Sequence, residues 1–233
     1  MVRPALLNNL AHRDLRVRTE RNAALGDAVM SAVTVPAEFR SLQAHYPIVF
    51  QKTADGTSFQ PLALLGFEPG ENLFLGARGW EVPYLPMAIE REPFLIGRDG
   101  ESLLVHVDLD SPRLQTGAGG EPLFLAQGGQ SDYLDRISSV LLALHEGFEA
   151  TPAFIAALLT HQLLESFVFD VELDDGATHR LAGYYTINED RLAALDGPAL
   201  AQLNRAGHLT PIYMALASLS NLRDLVARRN RRS

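Results

Sequence analysis

The strongest constraint on the fold is a change of rhythm part-way along the chain. Up to about residue 130, short apolar runs alternate with turn formers and hold most of the thirteen prolines; from Ser131 onward, apolar residues recur every three to four positions. Proline and glycine punctuation frames short strands, whereas the later period is that of an amphipathic helix. The candidate strands are Ala32–Val35, Ile48–Lys52, Leu62–Phe67, Asn72–Leu75, Phe94–Ile96 and Leu103–Leu109. Between the second and third, Ala54-Asp55-Gly56-Thr57 supplies the Asp-Gly pair that a tight hairpin favours. Residues 117–129 carry five glycines with little patterning and read as loop.

Past that loop, Ser131 is a candidate N-cap for a helix with Leu134, Ile137, Leu141, Leu144 and Phe148 on one face. Thr151-Pro152 reads as the start of a second helix, Thr at the N-cap and Pro in the first turn. Phe167, Phe169, Val171 and Leu173 alternate along a strand, Asp174-Asp175-Gly176 turn the chain, and residues 179–187 return as its partner. Short helices open at Asn188-Glu189, Gly197-Pro198 and Thr210-Pro211, the last with Ile212, Leu216, Leu219, Leu222 and Val226 in one stripe. The expected fold class is α+β: a strand-rich N-terminal half packed with a helical C-terminal half containing a β-hairpin. Residues 1–29 read as an N-terminal arm, 30–227 as a single α+β domain and 228–233 as a basic tail.

Composition removes several function classes. With 20 Lys+Arg against 28 Asp+Glu the net charge is −8, the wrong sign for gripping a phosphate backbone, so no nucleic-acid partner is expected. The absence of cysteine excludes disulfides, Cys-ligated zinc, iron–sulfur clusters and thiol catalysis. The longest apolar stretch, Ser139 to Leu164, is interrupted by His145, Glu146, Glu149 and His161, so no integral membrane segment is expected. The first residues contain no apolar signal core, which points to a cytoplasmic location.

Two constellations carry chemistry. His106 and Asp108, two apart on a strand, point to the same face, and with His179 as a distal ligand (His145, His161 and His208 being equally available) they would supply the two-His-one-carboxylate set that holds Fe(II) in oxygenases. Against this, the pair also reads as the polar face of a strand whose other face is Val105, Val107 and Leu109. Phe74, Trp80, Tyr84 and Phe94, interleaved with Pro83, Pro86 and Pro93, would line a groove for a peptide or protein partner, or else form a small proline-stapled core. No Gly-x-Ser-x-Gly elbow, Ser-x-x-Lys pair or Walker lysine is present.

Gly183-Tyr184-Tyr185-Thr186-Ile187-Asn188-Glu189-Asp190-Arg191-Leu192 resembles the SapC family, as do Ala44–Phe50, Leu64–Phe67, Glu71–Leu75, Val82–Pro86 and Arg91–Phe94. The order and spacing of these blocks carry the resemblance over about residues 30–226. The family is named for a protein associated with bacterial surface layers, and many members are encoded beside outer-membrane receptors and flavin-dependent halogenases. The resemblance implies a non-catalytic binding or accessory protein of envelope or uptake functions with no cofactor, and it carries over no catalytic residue set. The alternatives are the Fe(II) enzyme and a structural surface-layer component; the oligomeric state is left open.

Overall fold

In chain order the first elements are β1 (Pro4–Leu6), β2 (Leu15–Val17), β3 (Ser31–Val33), α1 (Phe39–Leu42), β4 (Ile48–Lys52), β5 (Phe59–Leu64), β6 (Leu75–Gly76), β7 (Gly79–Trp80), α2 (Met87–Glu90), β8 (Phe94–Asp99) and β9 (Ser102–Asp108). There follow β10 (Leu114–Thr116), β11 (Glu121–Pro122), α3 (Asp132–Thr160), β12 (Leu164–Glu172), β13 (Thr178–Ile187), α4 (Glu189–Ala193), α5 (Gly197–Arg205), α6 (Leu209–Ser218) and α7 (Leu222–Asn230). The structure is a computed structural model and describes residues 3–100 and 102–232. The fold is mixed α+β, as the sequence implies. It divides into one unit of Met1–Ala28, Leu75–Glu81 and Met87–Glu146, and another of Val29–Phe74, Val82–Pro86 and Gly147–Ser233.

In the first unit, β1 pairs with β9 and β9 with β8, all antiparallel, while β2 pairs with both β10 and β11. Residues before Ala28 thus contribute two strands, with Pro4 opposite Asp108 and Leu15 opposite Thr116. The core is Val17, Phe94, Val107, Leu123, Leu134, Ile137 and Leu141, the last three lying along one face of α3. Ser131 starts that helix as expected: its Oγ accepts the Leu134 amide at 3.2 Å and donates to the Pro122 carbonyl at 2.6 Å.

The same unit buries charge. Asp27 and Arg113 are each 2% exposed and joined as an ion pair, and Arg21 reaches the same carboxylate oxygen at 3.3 Å. Arg113 also donates to the carbonyls of Arg18 and Glu20, and the second Asp27 oxygen accepts the Asn22 amide at 2.9 Å. Buried charges survive only when paired and hydrogen-bonded in this way. Burial, then the neighbouring Arg113, pulls the Arg21 guanidinium below its ordinary pKa while Asp27 opposes.

The second unit is built on an antiparallel sheet in the order β12-β13-β4-β5-β3. The Asp-Gly turn joins β4 to β5 as expected, with Gly56 at φ +70° and the Asp55 carboxylate accepting the Thr57 amide at 3.1 Å. Hydrogen bonds from Thr53 and Thr57 pull the Asp55 carboxyl down to about 2. The second hairpin, β12 to β13, also matches the expected alternation: Val171 and Leu173 are buried on the Phe167 face. A register shift opposite Gly183, at φ +84°, bends this ribbon. Phe39, Phe50 and Phe154 meet with ring centroids 6.0–6.4 Å apart, so α1, β4 and the C-terminal half of α3 share one aromatic core.

Three expectations need correction. Residues 132–160 form one helix, not two. Thr151 is no N-cap: its Oγ1 donates to the Gly147 carbonyl at 2.7 Å inside the helix. Proline at 152 removes one helical donor, and buried Thr151, Phe154 and Ile155 on one face keep the helix running past it. The segment Asn72–Leu75 is strand only from Leu75, in a two-residue pairing with β7. The last helix is broken by a 3-10 turn, Leu219–Asn221, so the buried set is Ile212 and Ala215 on α6, then Leu222 and Leu225 on α7. α3 is long and apolar enough to cross a membrane, by length and composition only, and its Leu134, Ile137, Leu141 and Leu158 are buried in protein.

Candidate functional site

The second unit contains a pocket of about 340 Å³. That is at the small end of the ~300–1,000 Å³ typical of ligand clefts. One wall is the turn into α1, with Pro36, Ala37 and Arg40; a second is α3, with Gly147, Ala150 and Phe154; the third is the corner between α5 and α6. The space exists because small residues stand where larger ones would fill it, and Gly147 shows how close the walls come. A Cβ there would lie 2.5 Å from Val35 Cγ2 and 2.7 Å from Val35 Cβ.

The third wall is fixed by local sequence. α5 ends in a Schellman motif: Gly207 adopts φ +74°, its amide bonds the Asn204 carbonyl at 3.0 Å, and the His208 amide bonds the Leu203 carbonyl at 2.9 Å. Glycine supplies the left-handed residue that other side chains resist. The turn delivers His208 to the N-cap of α6, where its ring packs edge-on against Phe154 at 5.5 Å.

His208 is the polar group of most interest. Its Nδ1 is buried without a partner. Its Nε2 has neither a hydrogen bond nor full burial among the described residues. An unpaired buried N–H costs more than an unpaired lone pair, so the proton belongs on Nε2, which is then an available donor. Burial holds the imidazole pKa below its ordinary value, so the ring is neutral at pH 7.

The residues singled out from sequence have other surroundings. In the first unit, Phe94 is fully buried in the core, and half-buried Trp80 on β7 pairs with Leu75 on β6. In the second unit, Phe74 is 1% exposed, 4.6 Å from the Tyr46 ring and covered by Arg228 at 4.5 Å. Tyr84 donates to the buried Glu38 carboxylate at 3.0 Å, which also accepts from Thr34 at 2.6 Å. Phe74 and Tyr84 are linked through Tyr46, whose hydroxyl donates to the Tyr84 carbonyl.

His106 lies across Gly97, where a Cβ would meet the ring at 2.5 Å, and its Nδ1 is 3.4 Å from the Leu104 carbonyl. Asp108 Oδ1 accepts the amides of Arg3 at 2.8 Å and Asp110 at 3.1 Å. His179, in the second unit, stacks on Phe67 at 5.9 Å with Nδ1 3.2 Å from Glu68. Among the described residues no three His, Asp or Glu side chains gather as a metal set.

Sequence reasoning named His208 only as one spare distal ligand. A sharper signal was present in Ala206-Gly207-His208: a helix stop one residue before a helix start, with histidine where Ser, Thr, Asp or Asn would normally cap.

The second unit thus presents a small pocket with His208 in one of its walls. The SapC family model matches residues 7–225 of the 233, and the chain belongs to that family. No curated protein and no solved structure matches it.

Proposed function

We propose that this SapC protein is a non-catalytic binding protein that serves envelope or uptake functions as an accessory, and that the pocket between α1, α3 and the α5–α6 corner receives its ligand. The observation that carries the reading is a preformed cavity of about 340 Å³ beside a histidine with an unbonded ring nitrogen. Concave apolar sites with few polar groups are the usual form of small-ligand sites. The envelope connection rests on the family resemblance.

Ligand-observed NMR with a set of small apolar and amphipathic fragments tests it, comparing the wild-type chain with Ala150→Phe. Ala150 lines the pocket from an exposed position on α3, so the larger side chain blocks the space without entering the core. Fragments that bind the wild type and are lost in the variant support the reading. An absence of binders, or binding that survives Ala150→Phe, overturns it.

A further inference from the structure

We infer that the outer edge of β12 is a docking site for an extended, basic segment of another protein, which adds to the sheet as a further strand. None of the β12 residues lines the pocket. β12 ends the sheet order, and among the described residues no strand pairs with it on the side away from β13. It is nine residues long, against about 5–6 for an ordinary strand. The Asn188 amide bonds the Leu163 carbonyl at 2.9 Å and the Leu173 amide bonds the Ala177 carbonyl at 2.8 Å, so the odd-numbered residues of β12 face β13. The amides and carbonyls of Ser166, Asp170 and Glu172 therefore point outward, with no hydrogen-bond partner among the described residues.

Native proteins usually blunt such an edge with lysine, proline or a bulge. β12 contains no lysine and no proline, and the one irregularity lies on the inner strand, where Ala182 and Gly183 stand opposite Val168. The apolar row is unfinished at this edge as well. Phe167 and Phe169 stack at 6.1 Å on the face that carries buried Val171, yet both are only half-buried, and Val168 on the opposite face is 46% exposed. A strand laid along the edge would cover these side chains and bond the outward amides together.

Charge selects the occupant. Residues 164–177 hold five acids, Glu165, Asp170, Glu172, Asp174 and Asp175, and no Lys, Arg or His. The Arg180 guanidinium reaches Asp170 at 3.5 Å, but both side chains are 67% exposed, so water screens the pair. Two copies of this chain meeting edge to edge would set these acids against each other, each copy already carrying a net charge of −8. Like charges across a strand pair destabilise it and opposite charges strengthen it, so the acids that turn away a second copy favour a strand carrying Arg or Lys. Antiparallel to β12, that strand would place cations opposite Glu172, Asp170 and Glu165 and apolar residues opposite Phe169 and Phe167.

The probe that tests this is acetyl-Arg-Thr-Arg-Val-Thr-Val-Thr-Arg-amide, beside the same peptide with Glu for each Arg. Titrated into the full isotope-labelled chain, the basic peptide should bind about tenfold tighter or more, and slow hydrogen exchange at the outward Ser166, Asp170 and Glu172 amides. Ser166→Pro removes an outward amide at an exposed position and leaves the bonds to β13 in place, so it keeps the fold and should weaken the basic peptide about tenfold or more. Glu172→Lys, which alters no backbone group, should weaken it about threefold or more. Equal binding of both peptides, lost in Ser166→Pro, overturns the basic partner. Binding that survives Ser166→Pro, or that leaves exchange along β12 unchanged, overturns the edge, as does binding of neither peptide up to ~1 mM. A concentration-dependent dimer that Ser166→Pro abolishes makes the edge a contact between copies and overturns the assignment to another protein.

Discussion

Gly147→Ala isolates the packing that shapes the pocket. Taken as a position in a helix interior, the change should stabilise, since alanine is better than glycine by about 1 kcal/mol. The structure reverses the sign. The new Cβ would lie 2.5, 2.7 and 2.9 Å from Val35 Cγ2, Cβ and Cγ1. Carbon–carbon contacts are comfortable only from about 3.5 Å, so α3 or the Val35 segment must give by close to 1 Å. Val35 is fully buried and β-branched, so it has no open rotamer to move into. Overpacking of this kind costs about 1–3 kcal/mol, and three short contacts at once put the cost in the upper part of that range. The net expectation is a loss of about 1–2 kcal/mol, read as a fall of several degrees in the melting transition. A double-mutant cycle with Val35→Ala sharpens the test: with the obstructing methyls gone, Gly147→Ala should stabilise by its helix propensity. A rise in melting temperature for Gly147→Ala alone would refute the close approach of α3 to Val35.

Other perturbations address the first unit. Asp27→Asn leaves the buried Arg113 guanidinium without its countercharge and should cost about 3–5 kcal/mol in urea unfolding; a loss below 1 kcal/mol contradicts the buried pair. Burial pushes the Tyr133 hydroxyl up to about 12, against the opposing pull of Arg21 and Arg113. Its folded pKa is raised, so its contribution to stability is complete below pH 10 and is lost as pH rises toward 12. The ultraviolet difference between wild type and Tyr133→Phe on alkaline titration should place that tyrosinate near pH 12, and a midpoint at 10 would contradict its burial.

What the sequence shows best is what is decided locally. The β4–β5 hairpin follows from Asp55-Gly56, the start of α3 from Ser131, and the β12–β13 ribbon from alternating apolar residues and an Asp-Asp-Gly turn. Features set by distant partners stay hidden. β1 and β2 are three residues each and exist only through β9, β10 and β11 about a hundred positions later. Asp27 and Arg113 are ordinary charges until a fold joins positions 86 apart. Thr151-Pro152 has a good start signal, and burial on either side overrides it. The pocket is the extreme case. Its walls come from residues 36–40, 147–154 and 206–214, and its volume is set by small side chains that carry no motif.

Met214 lines the pocket, whereas Met30 and Met87 are absent from its lining, so methyl-labelled methionine provides a direct reporter. Titrating the labelled chain with the small apolar and amphipathic fragments that bind it should move the Met214 methyl resonance saturably, leave Met30 and Met87 in place, and move nothing in Ala150→Phe. A ligand that binds while the Met214 methyl stays still, or that moves Met87 instead, would contradict the claim that this pocket is where the protein works.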